Sequence, residues 1–220
     1  MIKLTNVNFS FTKEYNILYN INFQLHNNEI MFIYGEQESG RSTLLRILIG
    51  LEKQTSGEVL YDNMIINKDI FKNNVALGFI PEKMACIENQ SVYKNLEYVL
   101  NIRKTNKILK DVKITNALKC YNLETLKKEK MKNIGRFDRI KVALARLSLR
   151  KLDYIIIDDI FKDLPDSELK YVISEIKTLI KNNNASAIIV SDNPKLATEF
   201  DCTQYKLELG VLSKLEEENV

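Results

Sequence analysis

The sequence predicts an α/β fold built on a parallel sheet, and three observations carry that prediction. Short apolar runs at 29–35 ("EIMFIYG"), 153–159 ("DYIIIDD") and 186–192 ("SAIIVSD") have the length and unbroken apolar character of strands buried on both faces. The first two are each followed by an amphipathic helical pattern, the alternation that parallel strands need for their crossovers. Apolar residues make up 45% of the 220 positions, enough for one domain with a real core and too many for a disordered chain.

Taken in order, "IKLTNVNFSF" and "LYNINFQL" alternate apolar and polar residues and read as strands. "EIMFIYG" ends on a glycine, and "STLLRILIGL" follows as a helix through Leu44, Leu45, Ile47 and Leu48, stopping near Gly50. "GEVLYDNMII" and "VALGFIPE" read as further strands. From 83 to 150 the pattern turns helical. "SVYKNLEYVLNIRK" puts Val92, Leu96, Val99 and Leu100 on one face, and "NKILKDVKITNALKCYNL" does the same with Leu109, Val112, Leu118 and Tyr121. "RIKVALARLSL" is a third helix. After "DYIIIDD", Pro165 suits the first turn of a helix through Leu169, Val172, Ile173, Ile176 and Ile180. "TQYKLELGVLSKL" closes the chain as a hairpin.

Composition removes several classes. With 32 basic and 29 acidic residues the net charge of +3 points neither toward nor away from nucleic acid. Three scattered cysteines (Cys86, Cys120, Cys202) form no disulfide framework and suit a reducing compartment. With His26 as the single histidine, neither zinc nor a redox cofactor is expected. The N-terminus lacks the pattern of a signal peptide, and no apolar run approaches the ~18 residues of a membrane span.

The stretch "GEQESGRST", residues 35–43, has the spacing of a phosphate-binding loop, G-x-x-x-x-G-K-[ST], with arginine in place of lysine. Between a buried strand and a helix, the N–H groups of Gly35, Glu36, Gln37, Glu38, Ser39 and Gly40 and the helix N-terminus offer positive potential to a polyphosphate. Arg41 is the loop cation. Ser42, followed by Thr43, offers a hydroxyl for Mg²⁺. The competing reading is a plain strand-to-helix turn.

The order of landmarks beyond this loop resembles the ATP-binding cassette (ABC) family, from about Ile2 to Leu212. "LEKQTSGEVLYDN" is similar to the family's stretch ending T-S-G-E, and "VALGFIPEKMACIENQSVYKNL" to its Q-loop segment. "IGRFDRIKVALAR" stands at the signature, "YIIIDDIFKDL" at Walker B, and "IIVSDNPKLATEFD" at the switch histidine. The resemblance implies a P-loop NTPase with a RecA-like core, an N-terminal antiparallel β-subdomain and an inserted helical subdomain. It would be one domain over 1–220, with a core lobe at 1–82 and 151–220 and a helical lobe at 83–150. It further implies ATP and Mg²⁺ as ligands, the metal held by Ser42 and Asp158.

Most positions that the resemblance makes catalytic are altered. Arg41 replaces a lysine; it is larger and planar. Glu36 and Glu38 put carboxylates in the loop, where one about 5 Å from a phosphate charge costs roughly 3 kcal/mol at an effective dielectric of about 20. Glu38 is either a solvated loop residue or, with Glu36, a phosphate mimic paired with Arg41. The Q-loop position is Glu82. Asp159 stands where the family has the glutamate that polarises water, shorter by one methylene; it either keeps part of that role or caps the turn. Asp192 replaces the switch histidine. The signature reads Ile134, Gly135, Arg136, Phe137 and Asp138, filling space the family leaves to glycines. Pro165 takes the D-loop aspartate's place. Phe11 matches the aromatic that stacks on adenine, or is an ordinary core ring.

The expected function is a degenerate ABC transporter ATP-binding subunit that binds ATP weakly and hydrolyses it poorly or not at all. It would be cytoplasmic and peripheral on the inner face of the membrane. Its partners would be a separate transmembrane subunit and a second cassette, in a homodimer or a heterodimer with another ABC subunit. The alternative is a non-enzymatic pseudo-ATPase scaffold. A nucleic-acid-associated ABC protein ranks third, because a solvated helical face accounts for the basic residues at 127–151.

Overall fold

The computed structural model describes residues 1–11, 15–66, 70–102 and 106–215; the end of the first lobe helix, read through Arg103 and Lys104, lies outside them. The chain forms two compact units: Met1–Phe79 with Leu152–Asp159 and Ile180–Val220, and Ile80–Lys151 with Ile160–Leu179. Where the sequence assigns all of 151–220 to the core lobe, the structure groups Ile160–Leu179 with the helices. The Tyr171 ring packs there against Phe137, and the Ile160 carbonyl accepts from Arg136.

The first unit holds two sheets. Strands β1 (Ile2–Ser10), β2 (Asn16–Leu25), β4 (Ser56–Tyr61) and β5 (Met64–Ile65) form an antiparallel sheet in the order β2-β1-β4-β5. Along β1 the buried residues run Ile2, Leu4, then Val7, Phe9. The phase slips by one where the register shifts between Leu4 and Val7, at Asn6 with φ 50°, so both halves of the strand face the core.

The second sheet runs β10-β9-β3-β8-β7-β6. Its strands are β3 (Ile30–Tyr34), β6 (Leu77–Ile80), β7 (Tyr154–Asp158), β8 (Ser186–Ser191), β9 (Thr203–Glu208) and β10 (Val211–Lys214). β3 pairs in parallel with β8 and β9, and β7 in parallel with β8; β10 folds back antiparallel on β9. Every residue of β8 is buried, as are the first four of β7, which is why both read as unbroken apolar runs. Helix α1 (Arg41–Leu48) buries Leu44, Leu45, Ile47 and Leu48, and the buried Tyr61 hydroxyl donates to the Leu48 carbonyl at 2.9 Å. Asn183 closes the unit by accepting from Leu152 N–H at 2.9 Å. A short helix, α2, spans Ile70–Asn73.

The second unit contains α3 (Val92–Ile102), α4 (Lys107–Cys120), α5 (Arg136–Ser148) and most of α6 (Asp166–Asn183). Asn95 is buried on α3 and satisfied by the chain before it: its amide accepts from Ile87 N–H at 2.8 Å and donates to Ser91 O at 3.0 Å. On α4 the sequence reading of the buried face needs correction. Ile114, Ala117 and Leu118 are buried, while Leu109 and Val112 are 48% and 51% exposed. Two polar contacts also join α4 to α3: Lys110 donates to Asn101 Oδ1 at 2.6 Å, and Tyr93 donates to Asp111. No helix among the described residues is long and apolar enough to cross a membrane.

Candidate phosphate-binding site

β3 delivers the chain to Gly35, whose N–H donates to Ser191 O on the neighbouring β8 at 3.2 Å. The loop then turns tightly: Ser39 N–H donates to Glu36 O at 3.3 Å, and Gly40 caps α1 at φ 100°. Both bounding glycines are required by space. A β-carbon on Gly35 would stand 2.9 Å from Leu207 O and 2.7 Å from Ser39 Oγ; one on Gly40 would stand 2.9 Å from Leu18 Cδ2, in a backbone region costly to any side chain. The β9–β10 hairpin braces the loop from outside, Gly210 N–H donating to Ser39 O at 3.0 Å. Ser39 is 5% exposed and its hydroxyl has no protein partner. α1 carries no acidic residue in its first turn, so the positive end of its dipole is not neutralised there.

The loop carboxylates point elsewhere than the sequence suggests. Glu36, Gln37 and Glu38 are exposed, and Glu36 accepts from the Tyr34 hydroxyl at 3.2 Å. The phosphate-mimic expectation for Glu36 or Glu38 is corrected: Arg41 Nη1 reaches Asp159 Oδ2 at 3.2 Å, with Arg41 11% and Asp159 1% exposed. Asp159 leaves the end of β7 at φ 45° and is held on three sides: its N–H donates to Val190 O at 2.9 Å, and its second oxygen accepts from Ser191 Oγ at 3.1 Å. Ser191 Oγ in turn accepts from Asn193 N–H at 3.2 Å. Ser191 was not among the sequence candidates; its position beside Asp192 in "IIVSD" was the available signal.

The remaining candidates in this unit are arranged around that pair. Ser42 is exposed on the first turn of α1, and Thr43 is buried behind it. Asp158 ends β7 half-buried, opposite Val190. Asp192 is half-buried in the bend after β8. Phe11 is 63% exposed, its ring T-shaped to Phe9 with centroids 4.9 Å apart, so it is not a core residue.

In the second unit, Glu82 is exposed and forms a loose ion pair with Lys162 at 3.7 Å. The signature stretch opens α5. Ile134 is buried and Gly135 caps the helix, with nothing within 4 Å of where its β-carbon would be. Arg136 is exposed, with one long hydrogen bond (3.4 Å) to Ile160 O. Phe137 sits edge-on to Tyr171 at 5.6 Å, Lys141 Nζ stands 5.0 Å over its ring, and Asp138 pairs with Lys141 at 2.7 Å.

A glycine-bounded loop between a buried parallel strand and the helix after it defines the P-loop NTPase class. Within that class the chain belongs to the ABC transporter family, whose profile matches residues 18–162. It is 32% identical over 204 residues to the lipoprotein-releasing system ATP-binding protein LolD of Buchnera aphidicola, covering 89% of this chain and 90% of that protein. It is 29% identical to the sn-glycerol-3-phosphate import ATP-binding protein UgpC of Bartonella bacilliformis, of whose length it spans 55%. Among solved structures, the ATP-binding cassette MJ0796, dimeric and bound to ADP and phosphate, superposes with a TM-score of 0.85 at 22% identity, over 99% of this chain and 100% of that one. The structure of cbiO1 from Clostridium perfringens, part of the ABC transporter complex cbiONQ, gives 0.83 at 21%, over 96% and 86%.

Proposed function

We propose that the chain is an ATP-binding subunit of an ABC transporter whose site binds ATP·Mg weakly and turns it over slowly or not at all. The observation that carries this reading is the buried Arg41–Asp159 ion pair beneath an otherwise well-formed phosphate loop. The loop supports binding: its N–H groups and the start of α1 orient phosphate oxygens, and the exposed ring of Phe11 offers a stacking surface for a base. Ser42 and Asp158 are hard oxygen donors that fit Mg²⁺ arriving with phosphates. Mg²⁺ there would neutralise phosphate charge.

The altered carboxylates argue against rapid hydrolysis. Asp159 spends its oxygens on Arg41 and Ser191, so it does not present a free base to water. Asp192 brings negative charge where a donor to the terminal phosphate is needed. The proposed setting is the inner face of a membrane, beside a separate membrane subunit and a second cassette; the relatives' names, ATP-binding proteins of import and lipoprotein-releasing systems, support a subunit of a larger transport system. Calorimetric titration of Mg·ATP, with phosphate release measured alone and with co-expressed membrane and cassette neighbours, tests the reading. Weak binding and slow or no release are expected; brisk turnover by the chain alone, abolished in Asp159→Asn, would overturn it.

The altered signature favours a second reading, a non-enzymatic scaffold. Arg136 stands exposed at the start of α5, and Phe137 packs edge-on to Tyr171. Nucleotide-independent pull-down of a membrane partner, unchanged in Gly40→Ala and Asp158→Asn, would support that reading over the first.

A further inference from the structure

We propose that Asp159 is an internal ligand for Arg41, and that the pair is a lock which an incoming polyphosphate must open before the loop can hold it; this rests on reading the loop as a nucleotide site. The two residues stand 118 positions apart and meet within the first unit, Arg41 as the first residue of α1 and Asp159 just past the end of β7. The carboxylate is the fixed half. It is 1% exposed, its backbone N–H is tied to Val190 O, and its other oxygen is held by Ser191, which Asn193 anchors in turn. The guanidinium is the movable half, on a long side chain at the mouth of the loop.

The contact is also the right strength for a lock. It is a single N–H···O bond at 3.2 Å, not the two-bond fork a guanidinium makes at its best. A polyphosphate offers Arg41 that fork together with the loop's N–H groups, so it can displace Asp159 where a single carboxylate of the solvent could not. Until then Arg41 is neutralised, and the affinity measured is the intrinsic one reduced by the fraction of open molecules. A lock closed nine-tenths of the time weakens apparent affinity about tenfold. Glu36 and Glu38 are exposed and supply no such contact.

The test is a double-mutant cycle on binding. Mg·ATP and, separately, inorganic pyrophosphate are titrated calorimetrically into the wild-type chain, Asp159→Asn, Arg41→Met and the double variant. Folding is checked by circular dichroism, and Asp159→Ser replaces any Asp159→Asn protein that misfolds. The lock predicts that Asp159→Asn binds Mg·ATP about tenfold tighter while melting at a lower temperature without ligand. In the Arg41→Met background the same change should bring no gain. A gain that persists without Arg41 would mean simple repulsion by Asp159 and would overturn the lock. Unchanged affinity in Asp159→Asn, with clear binding by wild type, sinks the lock and leaves the nucleotide reading standing. Failure of every variant to bind either probe at millimolar concentration sinks both.

Discussion

Two helices of this chain begin at stretches that the resemblance to ABC proteins marks for phosphate contact, and they begin very differently. At α1 the backbone is crowded: β-carbons on Gly35 and Gly40 would meet other atoms at 2.7–2.9 Å, and the first turn carries no acidic residue. At α5 a β-carbon on Gly135 would meet nothing within 4 Å, and Asp138 lies in the first turn, paired with Lys141. A helix start can serve an anion only if its backbone is shaped to approach one and its dipole is not already satisfied. On the second condition the two differ: the first turn of α1 carries no acidic residue, whereas Asp138 lies in the first turn of α5. That difference favours the start of α1 over the start of α5 as an anion site.

The largest expected effect that sharpens this contrast comes from paired arginine truncations. Arg41→Met leaves Asp159 buried beside an uncharged partner and, by removing one hydrogen bond to a charged group, should lower stability by about 1.5–3 kcal/mol, read from urea unfolding. Arg136→Met, at the open helix start, should stay within about 0.5 kcal/mol. Equal losses would erase the difference between the two starts. Next come the glycines. Gly35→Ala forces its β-carbon against the Leu207 carbonyl and should cost about 1–3 kcal/mol. Gly135→Ala, at φ −69° with open space around it, should cost under about 1 kcal/mol, mainly as a poorer helix cap. Smaller still is Phe137→Ala: losing the edge-on Tyr171 contact and the Lys141 cation should cost about 1 kcal/mol while leaving the Mg·ATP titration unchanged.

What the sequence discloses and conceals follows the same division. The α/β class is legible because strands buried on both faces are short apolar runs, as at Tyr154–Asp158 and Ser186–Ser191, and because a glycine-bounded loop is a local signal. The partner of Arg41 is not local. It depends on the order β3-β8-β7, which brings Ser191 and Asp159 beside the loop from far along the chain; nearby Glu36 and Glu38 were the obvious but mistaken candidates. The phase of α4 was misread for a related reason. Leu109 and Val112 have helical spacing, yet the face that α4 buries runs through Ile114, Ala117 and Leu118, and the apolar pair lies outside it.

The smallest effect separates the two kinds of carboxylate at the loop. Glu38 adopts φ 65° in full exposure. Glycine would relieve about 1 kcal/mol of left-handed strain and lose about as much through a more flexible unfolded chain. Stability of Glu38→Gly should thus stay within about 0.5 kcal/mol of wild type. Its effect on Mg·ATP affinity should also be small, less than about threefold, because an exposed side chain rotates away and its charge is screened by salt. Asp159 has neither escape, being buried and held by Ser191. Calorimetric titrations of Glu38→Gly and Asp159→Asn at one ionic strength rank the two directly. If Glu38→Gly tightens binding more, the dominant repulsion lies on the solvent side of the loop, and the Arg41–Asp159 pair is a packing contact with no hold on the ligand.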